Sequence, residues 1–175
     1  MKILETDRLI LRKLTDEDAP FILKLLNEPS WLRYIGDRGV KSLADAAKYI
    51  VDGPMASYER FGFGLYLVEL KDGATPIGMC GLLKRDTLPD VDIGFAFLPA
   101  YWGQGYAGES AAAVLDHARS RLGLSRIVAI TNDDNHSSVR LLEKLGMKFE
   151  RMIQMTDKEP PLKLFARALT TGETP

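Results

Sequence analysis

The chain has 175 residues and a mass of 19.5 kDa, and since one hydrophobic core commonly serves this length, we expect a single domain over residues 1–175. Its composition, 46% hydrophobic and 27% charged, is that of ordinary globular proteins and excludes disordered and fibrous classes. The 23 basic residues are scattered among 24 acidic ones, and the net charge of -1 gives no general footprint of a nucleic-acid-binding protein.

The first residues and the cysteine content also bear on location. Charges occur too early in Met1–Arg8 for a secretory signal, and no apolar run approaches membrane-spanning length, so we expect a cytoplasmic protein without a membrane partner. The single cysteine, Cys80, cannot form an internal disulfide. Because the histidines, His117 and His136, lie far along the chain, Cys80 is predicted to be a small core residue rather than a nucleophile.

The first third of the chain predicts one strand and two helices. Alternating apolar and polar residues indicate a strand over Asp7–Leu14. Thr15–Asp18 has the pattern of a capping box and opens a helix that ends near Glu28-Pro29. A second helix begins at Ser42–Asp45, and Gly53-Pro54 is expected to interrupt it.

From Gly62 onward the pattern changes to strands. Turn residues separate three apolar segments, which predict an antiparallel meander over Phe63–Leu70, Pro76–Leu83 and Val91–Leu98. A helix then starts after Gly103-Gln104-Gly105 and carries an inward apolar stripe as far as Leu122, with Gly123 as its end.

The last part of the chain continues with alternating strand and helix. The continuous apolar run within Arg126–Thr131 predicts a strand buried on both faces, and Asn135 caps a helix that stops at Gly146. Two strands, about Lys148 to Met155 and Leu162 to Leu169, follow. The element order predicts an α/β (α+β) fold, with a mixed, mostly antiparallel sheet of about seven strands and four helices that cover both faces.

The loop after the third meander strand has the features of an anion site. Gly103 and Gly105 allow the backbone to approach a ligand, and the first amides of the next helix are unpaired donors at the positive end of its dipole. The natural guest is a phosphate or pyrophosphate. Two alternatives stay open: a glycine turn that admits close helix packing, and a Rossmann fingerprint, since Gly108 completes its spacing. Three preceding meander strands disfavour the fingerprint.

Three segments, Glu5–Arg12, Asp92–Ala107 and Asn135–Met147, resemble the GNAT superfamily of N-acetyltransferases, and specifically the branch related to the ribosomal-protein N-terminal (RimJ/RimL-like) acetyltransferases. The segments occur in the family's order, and the resemblance covers nearly the whole chain. It implies a three-layer αβα GNAT fold with acetyl-CoA as co-substrate and no metal.

The resemblance also implies which residues hold acetyl-CoA. The pyrophosphate is expected at the glycine loop, where Trp102 replaces the Gln or Arg of many relatives. The pantetheine arm is expected to pair with the last meander strand, and an amide near Phe97 is expected to face the thioester oxygen. Asn135 matches a pantetheine-contacting asparagine, and Ser138 matches a serine near the CoA sulfur, although a helix cap and a surface serine are the plainer roles. The binding set is Phe95, Ala96, Phe97, Trp102, Gly103, Gln104, Gly105, Tyr106, Ala107, Gly108, Asn135 and Ser138.

The catalytic groups are assigned by the same resemblance. Leu142 occupies the position where many GNAT enzymes place a tyrosine acid, and because an alkyl side chain cannot donate a proton, Ser138 or a water is left to deliver it. Asp92 is the expected base, with Asp90 and Glu109 as competitors. Glu109 more simply stabilises the helix start, although there it would lie near bound phosphate.

These observations predict an acetyl-CoA-dependent N-acetyltransferase, monomeric or homodimeric, that acts on a peptide N-terminus or a small amine. Trp31–Arg38 and Met155–Pro161 are expected to border the acceptor pocket. The alternatives are a non-catalytic acyl-CoA-binding module that has lost turnover, and a Rossmann-type oxidoreductase, which would have to bind a nicotinamide in preference to CoA.

Overall fold

An eight-stranded sheet forms the centre of the molecule in the computed structural model, which describes residues 1–169. Neighbouring strands are antiparallel except at one junction, and they lie in the order β1-β2-β3-β4-β5-β6-β8-β7. The strands are β1 (Lys2–Glu5), β2 (Leu9–Lys13), β3 (Leu65–Leu70), β4 (Thr75–Leu83), β5 (Asp92–Phe97), β6 (Arg126–Thr131), β7 (Lys148–Ile153) and β8 (Leu162–Ala168).

Helices cover both faces of this sheet, which confirms the predicted three-layer αβα class. One face packs against the later helices through a core that includes Val114, Leu115 and Leu142. The other packs against the first helices through Ile22 and Ile50. The helices are α1 (Ala19–Leu26), α2 (Pro29–Tyr34), α3 (Leu43–Ile50), α4 (Ala56–Phe61), α5 (Tyr106–Ser120) and α6 (His136–Lys144). Among the described helices, none has both the length and the apolarity needed to cross a membrane.

The predicted first strand over Asp7–Leu14 is observed as β2, and a strand that was not predicted, β1, precedes it and forms a hairpin with it. Residues 2–13 form β1 and β2, which pair with each other, and the Thr6 N–H donates to the Leu9 carbonyl at 2.9 Å across the turn. This adds one strand to the predicted seven. The turn contains neither glycine nor proline, the strongest turn signals, although Asp7 is of a type that turns favour.

Two helical segments also differ from the prediction. Trp31 lies in α2 rather than in a loop, because Pro29 has the fixed φ that suits a first helical turn. Gly53-Pro54 does not end α3, since Val51–Met55 widens into a π-helical segment that leads directly into α4. Pro54 lacks an N–H and would collide with the carbonyl four residues back in an α-helix, and the wider turn relieves that clash.

The predicted core residues are confirmed where the sequence was most apolar. Ile127, Val128 and Ala129 of β6 are each no more than 2% exposed, as expected for a strand buried on both faces. Cys80 is fully buried, and burial raises the pKa of its thiol to about 12, so it stays protonated at neutral pH.

Candidate active site

The sheet opens between β5 and β6, its parallel neighbours. These strands share one residue pair, Asp92 with Val128, where the Val128 N–H donates to the Val91 carbonyl at 3.0 Å. Beyond that pair, towards Phe97 and Thr131, no ladder joins them within residues 1–169. A wedge of free strand edge is therefore left in the middle of the sheet, which we call the β5–β6 wedge.

The edge of β5 presents alternate residues to this wedge. The Leu98 N–H donates to the Ile77 carbonyl at 2.9 Å, and this bond sets the alternation of the β4–β5 ladder. The backbone groups of Ala96 point to β4, whereas those of Phe95 and Phe97 point towards β6. An extended ligand that carries amides can pair with Phe95 and Phe97 as an added strand. Of the three predicted residues, Ala96 offers no backbone group to the wedge.

Trp102 covers one of these edge groups. Its indole N–H donates to the Phe97 carbonyl at 2.8 Å, while 54% of the residue stays exposed. The Phe97 N–H, rather than its carbonyl, is therefore the group left to face a ligand, and this is the amide expected beside the thioester oxygen.

The loop between β5 and α5 has the backbone geometry of an anion site. Gly103 and Gly105 have φ angles of +73° and +82°, which residues with a side chain adopt only under strain. Gly105 directly precedes α5, so the first amides of that helix lie at the loop. A Cβ built on Gly103 would meet nothing within 4 Å, which shows open space on that side of the loop.

An arginine from the β1–β2 turn supports this loop. Arg8 Nη1 donates to the Gln104 carbonyl at 3.0 Å, and Arg8 Nε donates to Glu109 Oε2 at 2.7 Å. The Thr6 hydroxyl donates to Glu109 Oε1 at 2.6 Å, and the Arg8 guanidinium lies 4.3 Å from the centre of the Tyr106 ring. We call Thr6, Arg8 and Glu109 the loop clamp.

The loop clamp offsets the repulsion that Glu109 would otherwise exert on a phosphate. Partial burial raises the pKa of Glu109, but hydrogen bonds from Thr6 and Arg8 outweigh that effect and hold it below its usual value. The carboxylate is ionised, and the Arg8 charge offsets it. Arg8 lies within a segment that matches the family, but 101 residues separate it from Glu109, so no local pattern indicated this contact.

Replacing Arg8 with glutamine is expected to weaken CoA binding about tenfold, because it leaves the Glu109 charge uncompensated beside the phosphate position. Calorimetric titration with CoA measures this. Arg119→Gln, which breaks the Arg119–Asp116 pair (2.8 Å) farther along α5, is the matched control. In the Arg8→Gln background, Glu109→Gln should recover part of the loss, and equal affinity in Arg8→Gln and the parent would contradict the role of the clamp.

The start of α6 forms the other rim of the wedge. Asn135 Oδ1 accepts from the Ser138 N–H at 3.3 Å, which confirms the predicted helix cap. Since α5 follows β5 and α6 follows β6, and parallel strands end at the same edge of a sheet, both helix starts flank the opening. A Cβ on Gly108 would lie 3.4 Å from Leu141, so the two helices are in contact. Leu142 is 1% exposed and belongs to the core.

Asp92 lies at the closed end of the wedge. Its side chain is 1% exposed, and Arg85 Nε lies 3.2 and 3.3 Å from its two oxygens. Burial raises the pKa of Asp92 to about 6, although the charge and hydrogen bond of Arg85 oppose the rise. An outward-facing surface carboxylate is thus ruled out, and a group that titrates near neutral pH suits proton exchange. Of its competitors, Asp90 pairs with Arg126 at 3.1 Å, and Glu109 is held in the loop clamp.

The two segments expected at the acceptor pocket touch opposite ends of the wedge. Arg33 of α2 pairs with Asp134 at 3.2 Å, next to the start of α6. Met155 packs on the buried cluster of Val128 and Leu88, at the closed end. Among the described residues, no three His, Cys, Asp or Glu side chains are arranged to hold a metal ion.

Comparisons with known proteins agree with this geometry. A family model described as "Acetyltransferase (GNAT) domain" matches residues 8–148. The chain is 34% identical over 154 residues to "Uncharacterized N-acetyltransferase YoaA" of Bacillus subtilis (strain 168), which covers 87% of this chain and 86% of the relative. It is 29% identical over 167 residues to YkkB of the same organism, which covers 94% of each.

Solved structures show the same fold. An acetyltransferase from Agrobacterium tumefaciens str. C58 matches with a TM-score of 0.80 and 24% identity, over 95% of this chain and 94% of its own. RimL, described as a ribosomal L7/L12 α-N-protein acetyltransferase in complex with coenzyme A, matches with a TM-score of 0.82 and 19% identity, over 97% and 98%. At these identities the likeness extends to the fold alone.

Proposed function

The chain belongs to the GNAT acetyltransferase family and is an acyltransferase, and we propose that it transfers an acetyl group from acetyl-CoA to a primary amine of a protein N-terminus or a small molecule. One observation carries this proposal. The β5–β6 wedge leaves the Phe95 backbone and the Phe97 N–H without a strand partner in the middle of the sheet, and it leads directly to the Gly103–Gly105 loop at the start of α5.

An acetyl-CoA molecule fits these features in one direction. Its diphosphate would lie at Gly103–Gly105 against the first amides of α5, and its pantetheine amides would pair with Phe95 and Phe97. The thioester would then lie deeper in the wedge, towards Asp92. Asn135 and Ser138 would flank the arm from the α6 side.

The proposed reaction is direct aminolysis. The amine nitrogen attacks the thioester carbonyl carbon, and the Phe95 N–H, the edge amide of β5 nearer Asp92, stabilises the negative charge that develops on the oxygen. The C–S bond then breaks, and the proton lost by the amine goes to Asp92. The departing thiolate takes a proton from Ser138, which regains one from water, or leaves as the anion. A thiolate can leave without full protonation, since thiols have pKa values of about 8.5.

A binding module that has lost turnover would keep the same wedge. Leu142 favours that alternative, because it removes the usual tyrosine acid. The test is to incubate the protein with acetyl-CoA and a panel of peptides and small amines, and to measure free thiol and acetylated product by mass spectrometry. Product with any amine supports the enzyme, while tight CoA binding without thiol release across the panel supports the module.

Ser138→Ala is expected to lower kcat at least tenfold while CoA affinity changes less than threefold, because proton donation acts on the leaving group rather than on binding. Ser137→Ala is the matched control, since Ser137 lies in the same helical turn and is exposed. Steady-state kinetics and calorimetry separate the two effects. Equal kcat in both variants would show that Ser138 is not the proton donor.

A further inference from the structure

A cleft of about 270 Å³ lies on the sheet face covered by the first helices. Its walls come from the end of α3, the π-helical segment and α4, and its floor is formed by Leu65 and Leu83. Tyr49 lines one wall, and we call this feature the Tyr49 cleft. None of the residues that line this cleft belongs to the proposed CoA-binding set.

The Tyr49 cleft lies next to the closed end of the wedge. Leu83 pairs with Asp92 across β4 and β5. A Cβ built on Gly94 would lie 3.2 Å from Leu83 Cδ1 and 3.7 Å from Leu65 Cδ2, so the floor covers Gly94. Because side chains alternate along a strand, Gly94 and Asp92 face the same side of the sheet. The cleft therefore lies on the side of β5 to which the Asp92 carboxylate points.

The charges that line this cleft are mainly positive. Arg60 and Lys84 both line it, and neither has a carboxylate within 4 Å among the residues described. Lys84 instead donates to backbone carbonyls, including that of Leu88 at 2.6 Å. The acid in the lining, Asp52, already pairs with Lys48. Arg60 can therefore pair with an anion, and Lys84, which uses two of its three N–H donors on the Arg85 and Leu88 carbonyls, keeps one for it.

Two further cations lie near Tyr49. Burial raises the pKa of the Tyr49 hydroxyl, and the positive charges of Arg38 and Arg85 oppose the rise. Arg85 is the residue that covers Asp92, and its side chain is 32% exposed. Arg85 follows Lys84 directly in the chain but is not among the residues that line the cleft.

These cations are too far from the glycine loop to serve the CoA diphosphate. The cleft lies beside the first residues of β5, and the loop follows the last one. Asp92 and Phe97, the two ends of β5, are five residues apart, and at a rise of about 3.3 Å per residue this separates them by about 17 Å. The cations of the Tyr49 cleft therefore do not serve the CoA diphosphate, and a second anion is their candidate ligand.

We propose that the Tyr49 cleft binds the acceptor and that the acceptor is a small primary amine that also carries a carboxylate, an inference that rests on the proposed function. Its carboxylate pairs with Arg60 and Lys84. A second ammonium at that place is repelled. The cleft volume equals that of about nine water molecules, which suits an amino acid rather than a length of peptide.

The test compares acceptors that share one amine and one chain length. With acetyl-CoA, γ-aminobutyrate is expected to give a kcat/KM at least about tenfold above that of butylamine, and 1,4-diaminobutane is expected to give the lowest value. L-amino acids should exceed their amides in the same way. High salt should reduce the preference, because both partners are solvent-accessible.

Matched variants assign the preference to the cleft. Arg60→Gln and Lys84→Gln are each expected to reduce the γ-aminobutyrate to butylamine ratio about threefold to tenfold. Lys148→Gln is the control, since Lys148 is exposed on β7 at the far edge of the sheet. An unchanged ratio in both cleft variants overturns the inference.

The outcomes separate this inference from the proposed function. If amines are acetylated but butylamine or 1,4-diaminobutane is the better acceptor, acetyl transfer stands and the acidic acceptor is overturned. If no amine is acetylated, calorimetry with γ-aminobutyrate in the presence of CoA decides. If γ-aminobutyrate binds and Arg60→Gln weakens that binding, the cleft is a carboxylate site but the proposed acetyl transfer is overturned. If γ-aminobutyrate does not bind, the carboxylate site and the acetyl transfer are both overturned.

Discussion

Gly105→Glu is expected to lower the affinity for CoA at least 100-fold. The new carboxylate would stand at the start of α5 where the diphosphate is proposed to bind, and like charges a few ångströms apart in a partly buried site repel by several kcal/mol. The backbone adds to the effect, since Gly105 has φ +82° and a Cβ there would lie 3.3 Å from Arg8 Nη2. The substitution therefore also disturbs the loop clamp.

Gly123→Glu is the matched control for this prediction. Gly123 has φ +66° just beyond the end of α5, and a Cβ there would meet nothing within 4 Å. Both variants carry the strain of a side chain at positive φ, about 1–2 kcal/mol, and Gly105→Glu should lose somewhat more thermal stability because it also displaces Arg8. Calorimetry with CoA then isolates the site, and equal CoA affinity in the two variants would show that the phosphate does not bind at this loop.

The sequence predicted those parts of the fold that depend on residues close together in the chain. The apolar run of Arg126–Thr131 predicted β6, and Asn135 and Gly105 predicted the starts of α6 and α5, because a buried strand, a cap and a positive φ each demand particular residue types nearby. The β1–β2 turn was missed for the opposite reason. Thr6 and Arg8 are held by Glu109, and no local pattern reports a partner about 100 residues away.

The candidate site divides in the same way. The glycine loop was located because glycine is required by the backbone itself. The wedge has no signature in the residues of β5 and β6, since the number of pairs that two parallel strands share depends on what packs above and below them. Arg85 lies in a turn region without periodicity, so its contact with Asp92 had no sequence signal. A helix break was predicted at Gly53-Pro54, but the structure has a π-helical segment there that forms a wall of the Tyr49 cleft. The wider π-helical turn accommodates Pro54, so the proline does not break the helix.

Asp92→Asn is expected to slow acetyl transfer about 10²- to 10⁴-fold at pH 7, the range that a positioned base supplies. In the parent, kcat/KM should fall as the pH drops below about 6, where Asp92 becomes protonated, and the variant should lack that limb. Asp90→Asn is the control, since Asp90 is one loop residue away from β5 and pairs with Arg126. A parent-like rate and pH profile in Asp92→Asn would exclude Asp92 as the base.

The same substitution should not destabilise the fold, which distinguishes a catalytic role from a structural one. The folded pKa of about 6 exceeds the ordinary value of 3.8, so between these pH values the folded chain binds more protons than the unfolded one. Its contribution to stability is therefore greatest below about pH 4 and declines until about pH 6, a cost of roughly 3 kcal/mol at pH 7. Asparagine carries no charge to bury, and Arg85, at 32% exposure, can turn to solvent. Urea unfolding at pH 5 and pH 7 should show a smaller decline for the variant, and a variant that is less stable than the parent at pH 7 would mean that the Arg85–Asp92 pair holds the fold together.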